Sequence, residues 1–339
     1  MIVKKIPYLQ GFPDFETVKN LSFFRVESED FRPVFYDIET TGLSRNSTFL
    51  YLIGAIACLD GSWQLFQWMA EDPKEEAAVL KAFSEFMKEF TCLISYNGEH
   101  FDSPYLEARC SLHEIPFPFE KKSSLDLYLH LNPLKKLLKL PTMKQPCLEE
   151  FLGIGNRIYC DGKDCIRLYK DFLKKRDPED ARTVIGHNLE DVLGLGKIFM
   201  MLGYLKLYEG DYEILSAEPD DGHLIFTLSL PSALPTPFSN GNDAFYLTGE
   251  EGTVRLIIKA VNGRFRQYYP NYRDYDYLPA EDTAIPKTLS SCIDKKLRKS
   301  ATRDTCYTWF SCTDAFLESP KMQKQYLSHT LPYLLRTLK

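Results

Sequence analysis

Apolar residues change their spacing along this chain, and each change marks an element. Arg32-Pro33-Val34-Phe35-Tyr36 reads as a buried strand entered from a proline break. Residues 50–59 and 63–69 read as a hairpin around Asp60-Gly61, a strong turn signal. An amphipathic helix is expected over 73–90, then a strand over 91–95 that leaves the core into Ser95-Tyr96-Asn97-Gly98. Ser103-Pro104 has the form of an N-cap followed by proline at the first helical position, opening a helix whose body is 105–112. A fifth short strand falls at 125–127, and 148–202 is mainly helical. The longest helix opens at Asp177-Pro178 and runs to about Met201, with Gly203 as its stop. The expected architecture is α/β: a mixed five-stranded sheet, begun by a three-strand meander and flanked by helices.

Near Tyr208 the pattern shifts to short alternating runs at 212–215, 224–230 and 254–260, with turns at Asp220-Asp221-Gly222 and Asn262-Gly263. Helices are expected around 290–297 and 323–338. The chain is thus read as a lead segment over 1–30, broken by Pro7 and Pro13, an α/β domain over 31–205, and a smaller β-rich accessory domain over 206–339. A length of 339 residues suits two domains, each able to bury its own core.

Composition points to a cytoplasmic protein. The nine cysteines are an odd number without a C-x-x-C pair, and the spacings Cys160/Cys165 and Cys306/Cys312 do not suit an ordinary zinc site. They read as free thiols. No signal peptide or apolar run of membrane-spanning length is present, so no membrane partner is expected. The net charge of −6 weighs against a purely electrostatic nucleic-acid binder, but not against local basic patches.

The candidate chemistry lies in three acidic motifs. In Asp37-Ile38-Glu39-Thr40-Thr41-Gly42-Leu43, the two acids are two apart on a strand. They therefore share a face, roughly 6.5–7 Å apart, with Ile38 turned into the core. Like charges on one face repel unless a cation compensates, and hard cations such as Mg²⁺ take oxygen ligands. A strand end fraying into a polar turn would carry the same D-x-E. In Asn97-Gly98-Glu99-His100-Phe101-Asp102, the last acid sits just ahead of a helix, where dipole stabilisation alone would also favour it. In His187-Asn188-Leu189-Glu190-Asp191, at about 100° per residue, Asp191 falls inside the apolar stripe of Val184, Ile185, Val192, Leu195, Ile198 and Phe199. A carboxylate there is costly unless it is paired or bound to metal. The i,i+4 spacing also brings His187 to Asp191, which equally fits a hydrogen bond stabilising a core helix.

Taken together and in this order, the motifs resemble the DEDD superfamily of 3′–5′ exonucleases, which have a ribonuclease H-like fold. The resemblance covers about 31–205. Phe49-Leu50-Tyr51-Leu52-Ile53-Gly54 and Leu134-Lys135-Lys136-Leu137-Leu138 are similar to the YprB-like bacterial proteins within that fold. The resemblance implies a metal-dependent nuclease in which Asp37, Glu39, Asp102 and Asp191 hold two Mg²⁺ or Mn²⁺ ions, about 4 Å apart. It implies His187 as the base or water-orienting group, Thr40, Thr41 and Leu43 seating the terminal nucleotide, and Asn97 supporting the second motif. One departure stands out: His187 occupies the four-residue spacing that the family gives to tyrosine.

The expected partner is DNA or RNA, entering as a single-stranded 3′ end. Two basic regions are candidates to guide it. Lys135 and Lys136, with Lys139 and Lys144, surround a leucine-rich helical segment near the α/β domain. Arg264-Phe265-Arg266-Gln267-Tyr268-Tyr269, with Tyr272 and Arg273, interleaves cations and aromatics that can bind phosphate and stack bases. A solvated helix face and an exposed strand would look the same. Two other functions fit the motifs: a binding or scaffold protein without turnover, and a structure-selective endonuclease. His100, His113, His130, His223 and His329 read as structural or solvated.

Overall fold

The computed structural model describes residues 1–24, 30–155, 157–159 and 162–339. Cys160 lies outside them, and Cys58, Cys92, Cys110, Cys147, Cys292, Cys306 and Cys312 are free thiols. The elements run β1 (Ile2–Ile6), α1 (Phe15–Leu21), β2 (Pro33–Thr40), β3 (Leu50–Leu59), β4 (Ser62–Met69), α2 (Glu76–Phe86), β5 (Cys92–Ser95), α3 (Asp102–Leu112) and β6 (Ser123–Asp126). Helices follow: α4 (Leu127–Leu131), α5 (Leu134–Leu137), α6 (Gln145–Phe151), α7 (Gly162–Lys175), α8 (Pro178–Phe199) and α9 (Leu202–Glu209). Asp60 and Gly61 both take positive φ, 51° and 76°, as a two-residue I′ hairpin requires. That turn fixes the register of β3 on β4, from Leu59 opposite Ser62 to Leu52 opposite Met69.

The sheet order is β1-β4-β3-β2-β5-β6, antiparallel across the first four strands and parallel from β2 to β6. It has six strands rather than five, because the lead segment supplies β1 at the edge, pairing Ile2 with Met69 and Ile6 with Leu65. Its alternating burial, half-covered on one face and exposed on the other, is that of an edge strand. Phe12 of the lead also packs its ring 5.0 Å from those of Phe35 and Trp63. The lead is therefore built into the domain.

Alternation along β2 gives the sheet two differently covered faces. Val34, Tyr36 and Ile38 join a core with Leu80, Phe83, Tyr105 and Leu106 of α2 and α3. Phe35 points the other way, to Phe199 of α8, with ring centroids 5.6 Å apart. Helix α8 reaches β2 and β3 through Gly54, where an added Cβ would lie 2.1 Å from Asn188 Oδ1 and 2.9 Å from Val192 Cγ2. Helix α3 begins one residue before the expected cap. Asp102 is its first residue and Ser103 makes no capping bond; the Ser103 amide instead donates to the Gly98 carbonyl at 2.8 Å.

The described residues divide into two units, 1–132 with 141–202, and 133–140 with 203–339. The basic segment around α5 thus belongs with the second unit rather than with the α/β domain. Asn240 Nδ2 donates to the carbonyls of Lys136 (2.7 Å) and Leu137 (3.1 Å), and Leu134 and Leu137 are fully buried. The second unit is β-rich. It contains β7 (Glu213–Asp220), β8 (His223–Ser229), β9 (Phe238–Asn242), β10 (Phe245–Glu250) and β11 (Thr253–Lys259), an antiparallel sheet in the order β7-β8-β11-β10-β9. Then come β12 (Phe265–Tyr268), β13 (Tyr275–Leu278), β14 (Thr283–Pro286), α10 (Lys287–Ser290), β15 (Lys299–Ser300), β16 (Tyr307–Phe310), α11 (Asp314–Leu317) and α12 (Pro320–Arg336). Tyr326 of α12 is buried, and its ring stacks on Phe226 at 5.9 Å and meets Phe310 edge-on at 4.8 Å.

Because Asn188 is held by further hydrogen bonds, it cannot yield to a methyl group at position 54. Gly54→Ala should therefore destabilise the protein by roughly 1–3 kcal/mol, the usual cost of overpacking, read as a lower urea midpoint with unchanged m.

Candidate active site

Strand β2 extends past its parallel neighbour. Pairing with β5 ends at Phe35 opposite Ile94, so the next stretch of β2 has no strand on that side. Asp102 fills the gap: its Oδ1 accepts the Ile38 amide at 3.2 Å. A buried amide is satisfied, and a carboxylate is pinned beside the β2 acids. Asp37 and Glu39 lie on the opposite face of β2 from Ile38, toward α8. Asp37 Oδ2 accepts from Asn188 Nδ2 at 2.9 Å. Gln67 Nε2 fixes that amide by donating to Asn188 Oδ1 and to the Ile185 carbonyl, both at 2.9 Å.

His187 and Asp191, one turn apart on α8, enter the same space. His187 Nε2 is 3.1 Å from Asp191 Oδ2 and 3.6 Å from Glu39 Oε1. Its Nδ1 is buried and makes no hydrogen bond among the described residues. The other Asp191 oxygen takes Nη1 of Arg157. Arg157 also makes a two-pronged bond to the buried Glu149, with Nε–Oε2 and Nη2–Oε1 both 2.9 Å.

The second motif is shaped by Asp126, which is fully buried at the end of β6. Its carboxylate accepts from the amides of Asn97 (2.8 Å), Tyr128 (2.9 Å) and Glu99 (3.1 Å). Asn97 takes a left-handed backbone, φ 61°, and its carbonyl accepts from Phe101, leading the chain into α3. In the first motif, Thr40 Oγ1 donates to the Gly42 carbonyl at 3.0 Å. Thr41 and Phe49 exchange hydrogen bonds across the following loop. Leu43, at the tip, is 87% exposed. That loop rests on a buried cluster: Glu76 accepts the Leu50 amide at 2.8 Å and pairs with Arg109, whose Nη1 donates to the Arg45 carbonyl at 3.2 Å.

Burial and mutual repulsion dominate the electrostatics. Burial, then the charges of Asp191, Asp102 and Glu39, push the Asp37 carboxyl well above its usual range, against the Asn188 hydrogen bond. Burial, then Asp191 and Asp102, do the same to Glu39. Asp102 is raised by burial to about 7, although the Ile38 amide pulls it down. Asp191 is raised by burial, with His187 and Arg157 opposing. Excess buried negative charge of this kind is what a divalent cation would relieve. Ligand atoms of Glu39, His187 and Asp191 all lie within 4.8 Å of one another, so the two carboxylates are close enough to share a divalent cation, with His187 beside them.

Of the residues singled out in the sequence, Asp37, Glu39, Asp102, His187 and Asp191 come together. Thr40, Thr41 and Leu43 line the adjoining loop, and Asn97 turns the second. Lys135 and Lys136 are exposed on α5, in the second unit, as are Arg264 and Arg273 elsewhere in that unit. Arg266 is committed to packing: its guanidinium lies 4.6 Å from the Tyr307 ring centre and 4.8 Å from that of Trp309, with Asp282 at 3.9 Å. Sequence reading missed Arg157, Glu149, Asn188, Gln67 and Asp126. Only Asp126 left a trace, as an acid between a short strand and a helix start; it accepts the Tyr128 amide as the cap of α4.

Residues 34–202 match a family model, RNase_H_2, described as RNase_H superfamily, so this part of the chain is a ribonuclease H-like domain. The chain is 27% identical over 173 residues to the protein YprB of Bacillus subtilis (strain 168), covering 49% of this chain and 40% of YprB. It thus spans well under half the length of that curated relative. Among solved structures, it is similar to the family B DNA polymerase of the hyperthermophilic archaeon Pyrobaculum calidifontis, with TM-score 0.41 and 15% identity over 59% of this chain and 34% of that one. It is also similar to E. coli Exonuclease I in complex with a dA16 oligonucleotide, with TM-score 0.30 and 17% identity over 60% of this chain and 55% of the other. No helix among the described residues is long and apolar enough to cross a membrane.

The raised Asp102 carboxyl has a consequence for stability. With a folded pKa of about 7 against an ordinary 3.8, the folded state holds this proton more tightly than the unfolded chain does. The associated stability is complete below about pH 4 and lost as the pH rises through about 7. In chelator, Asp102→Asn should therefore gain stability relative to the parent across that window, read from urea midpoints at pH 4, 5.5 and 7. A constant difference at all three would show that the carboxyl titrates normally.

Proposed function

We propose that this protein is a metal-dependent 3′–5′ exonuclease acting on DNA or RNA. The observation that carries the proposal is the buried convergence of Asp37, Glu39, Asp102 and Asp191 from β2, α3 and α8, each raising or raised by the others. A binding module has no use for clustered carboxylates where phosphates must come. In this reading the four acids hold two Mg²⁺ or Mn²⁺ ions, which supply a nucleophile at neutral pH and offset charge on the phosphate.

The remaining roles belong to the chain's own groups. Ile38 and Asn188 hold Asp102 and Asp37 in place through one hydrogen bond each. His187, with Nε2 directed into the acid cluster, orients the attacking water or takes its proton. The exposed Leu43 and the Thr40–Thr41 turn seat the terminal nucleotide, with Asn97 fixing the facing loop. Contacts to the rest of the strand come from exposed cations, Arg264 and Arg273 and the α5 lysines Lys135 and Lys136. Arg266 is better read as a support for Tyr307 and Trp309.

Incubation of labelled single-stranded DNA and RNA with Mn²⁺ should give products shortened stepwise from the 3′ end. Asp37→Ala and Asp191→Ala should each abolish this while leaving the circular dichroism spectrum unchanged. Near-normal activity in both variants would refute the site. Cleavage of a circular substrate would mean an endonuclease on the same acids.

His187→Ala should lower single-turnover rate by roughly 10²–10⁴-fold, as expected for a positioned acid–base group, with metal binding largely kept. An unchanged rate would leave His187 as a packing residue of α8.

A further inference from the structure

Arg157 is the one cation among the described residues that touches the acidic cluster, and its seat is elaborately built. One edge of the guanidinium is held by both oxygens of Glu149. Glu149 is braced by Gln145 Nε2 at 3.0 Å, and the same Nε2 donates to the Asp191 carbonyl at 3.0 Å. Helix α8 makes room for this pair at Gly194, where a Cβ would lie 2.4 Å from Glu149 Oε1 and 2.9 Å from Gln145 Nε2. One turn back, Glu190 accepts the amides of Ile158 (2.7 Å) and Tyr159 (3.3 Å), the residues following Arg157. A further turn back, Gly186 lets the Tyr159 ring lie on the helix, 2.2 Å from where a Cβ would be. Positions 186, 190 and 194 form one i, i+4, i+8 stripe. It runs beside the His187–Asp191 stripe, so one face of α8 presents the acid and the neighbouring face holds its counter-ion.

We propose that Arg157 is a resident cation that competes with divalent metal for Asp191, and so sets the metal concentration at which the site fills. The inference rests on the metal-dependent reading of the acids. Arg157 engages Asp191 Oδ1 and His187 Nε2 lies 3.1 Å from Oδ2, so both oxygens of this carboxylate already have a partner and keep only their second lone pairs open. Metal at Oδ1 competes with Nη1 for the charge of that oxygen, and the fork on Glu149 keeps the guanidinium in its seat when Nη1 is displaced. The charge therefore stays at the site in both states, and only its partner changes. Arg157 is thus a positioning residue acting through Asp191.

The test is Mn²⁺ binding, measured by calorimetry on the full chain without substrate. Arg157→Gln frees Asp191, and affinity should rise by about tenfold or more, as for loss of a competing charge pair. Glu149→Gln leaves Asp191 as the only carboxylate on Arg157, and affinity should fall several-fold. Opposite signs in the two variants exclude a merely structural arginine, which would weaken both or move neither, and the charge-preserving Arg157→Lys separates displacement from the effect of charge alone. If Arg157→Gln does not fold, Arg157→Lys keeps the charge but loses the fork that spans two carboxylates, and affinity should still rise by a smaller factor. Unchanged or weaker Mn²⁺ binding in the arginine variants, with normal binding in the parent, overturns this inference alone. Absence of Mn²⁺ binding from the parent and every variant overturns it together with the metal-dependent reading.

Discussion

The site depends on how closely α8 can approach the sheet, and that distance is set at Gly54. In the β2–β3 register Gly54 sits opposite Asp37, so the missing side chain on β3 lies beside the acid on β2. Asn188 uses the space, with its amide oxygen taken by Gln67 and its nitrogen given to Asp37. This one side chain ties three elements, β4, β2 and α8, across the buried face. Asp191 is three residues further along α8 and shares the acids' space only because Asn188 is seated. A helix set back by a methyl group would break the Asn188 bridge and draw the third motif away from the first two.

A second constraint is the end of a strand. Because β5 stops pairing at Phe35, the amide of Ile38 needs a partner from elsewhere, and Asp102 provides it. The sheet's change of neighbours thus produces both a free backbone group and the opening in which the acids meet. Asp126 stabilises the same opening from the next strand by gathering three amides. In the second unit cations play a different part. Arg264 stacks on Trp309 at 5.0 Å while remaining exposed, whereas Arg266 spends its charge on ring faces and Asp282.

What the sequence made legible was local. The Asp60-Gly61 hairpin, the long helix from Asp177-Pro178 and the alternation at Asp37-Ile38-Glu39 each follow from periods and turn chemistry within a few residues. Asp191 inside an apolar stripe is a local contradiction, and it points to the candidate site. The pairing of Glu149 and Arg157 with Asp191 joins residues 8 and 34 apart, and nothing in their neighbourhoods distinguishes them from ordinary surface charges. Gln67 and Asn188 are 121 apart. Strand β1 was missed because an edge strand with one half-covered face carries too few apolar residues to register. Segment 133–140 has a clear helical pattern, but a pattern cannot say which core receives its leucines.

The charge balance explains why the neutral scaffold is not enough. Two unit charges about 4 Å apart repel by about 4 kcal/mol at an effective dielectric constant of about 20. A hydrogen bond to a charged group returns roughly 1.5–3 kcal/mol. Asp37 receives one such bond from a side chain and Asp102 one from a strand amide, while each also faces the other acids. The hydrogen bonds fix where the carboxylates stand without offsetting the repulsion between them. The balance must come from protons, which is the meaning of the raised pKa values, or from cations. Arg157 contributes one positive charge and shares it with Glu149, so it relieves Asp191 and, to a lesser degree, Glu39, against the larger effect of burial and the neighbouring acids. The fold therefore concentrates buried negative charge at a place adjoined by a loop with an exposed leucine, and that charge is offset by protons unless a cation takes their place.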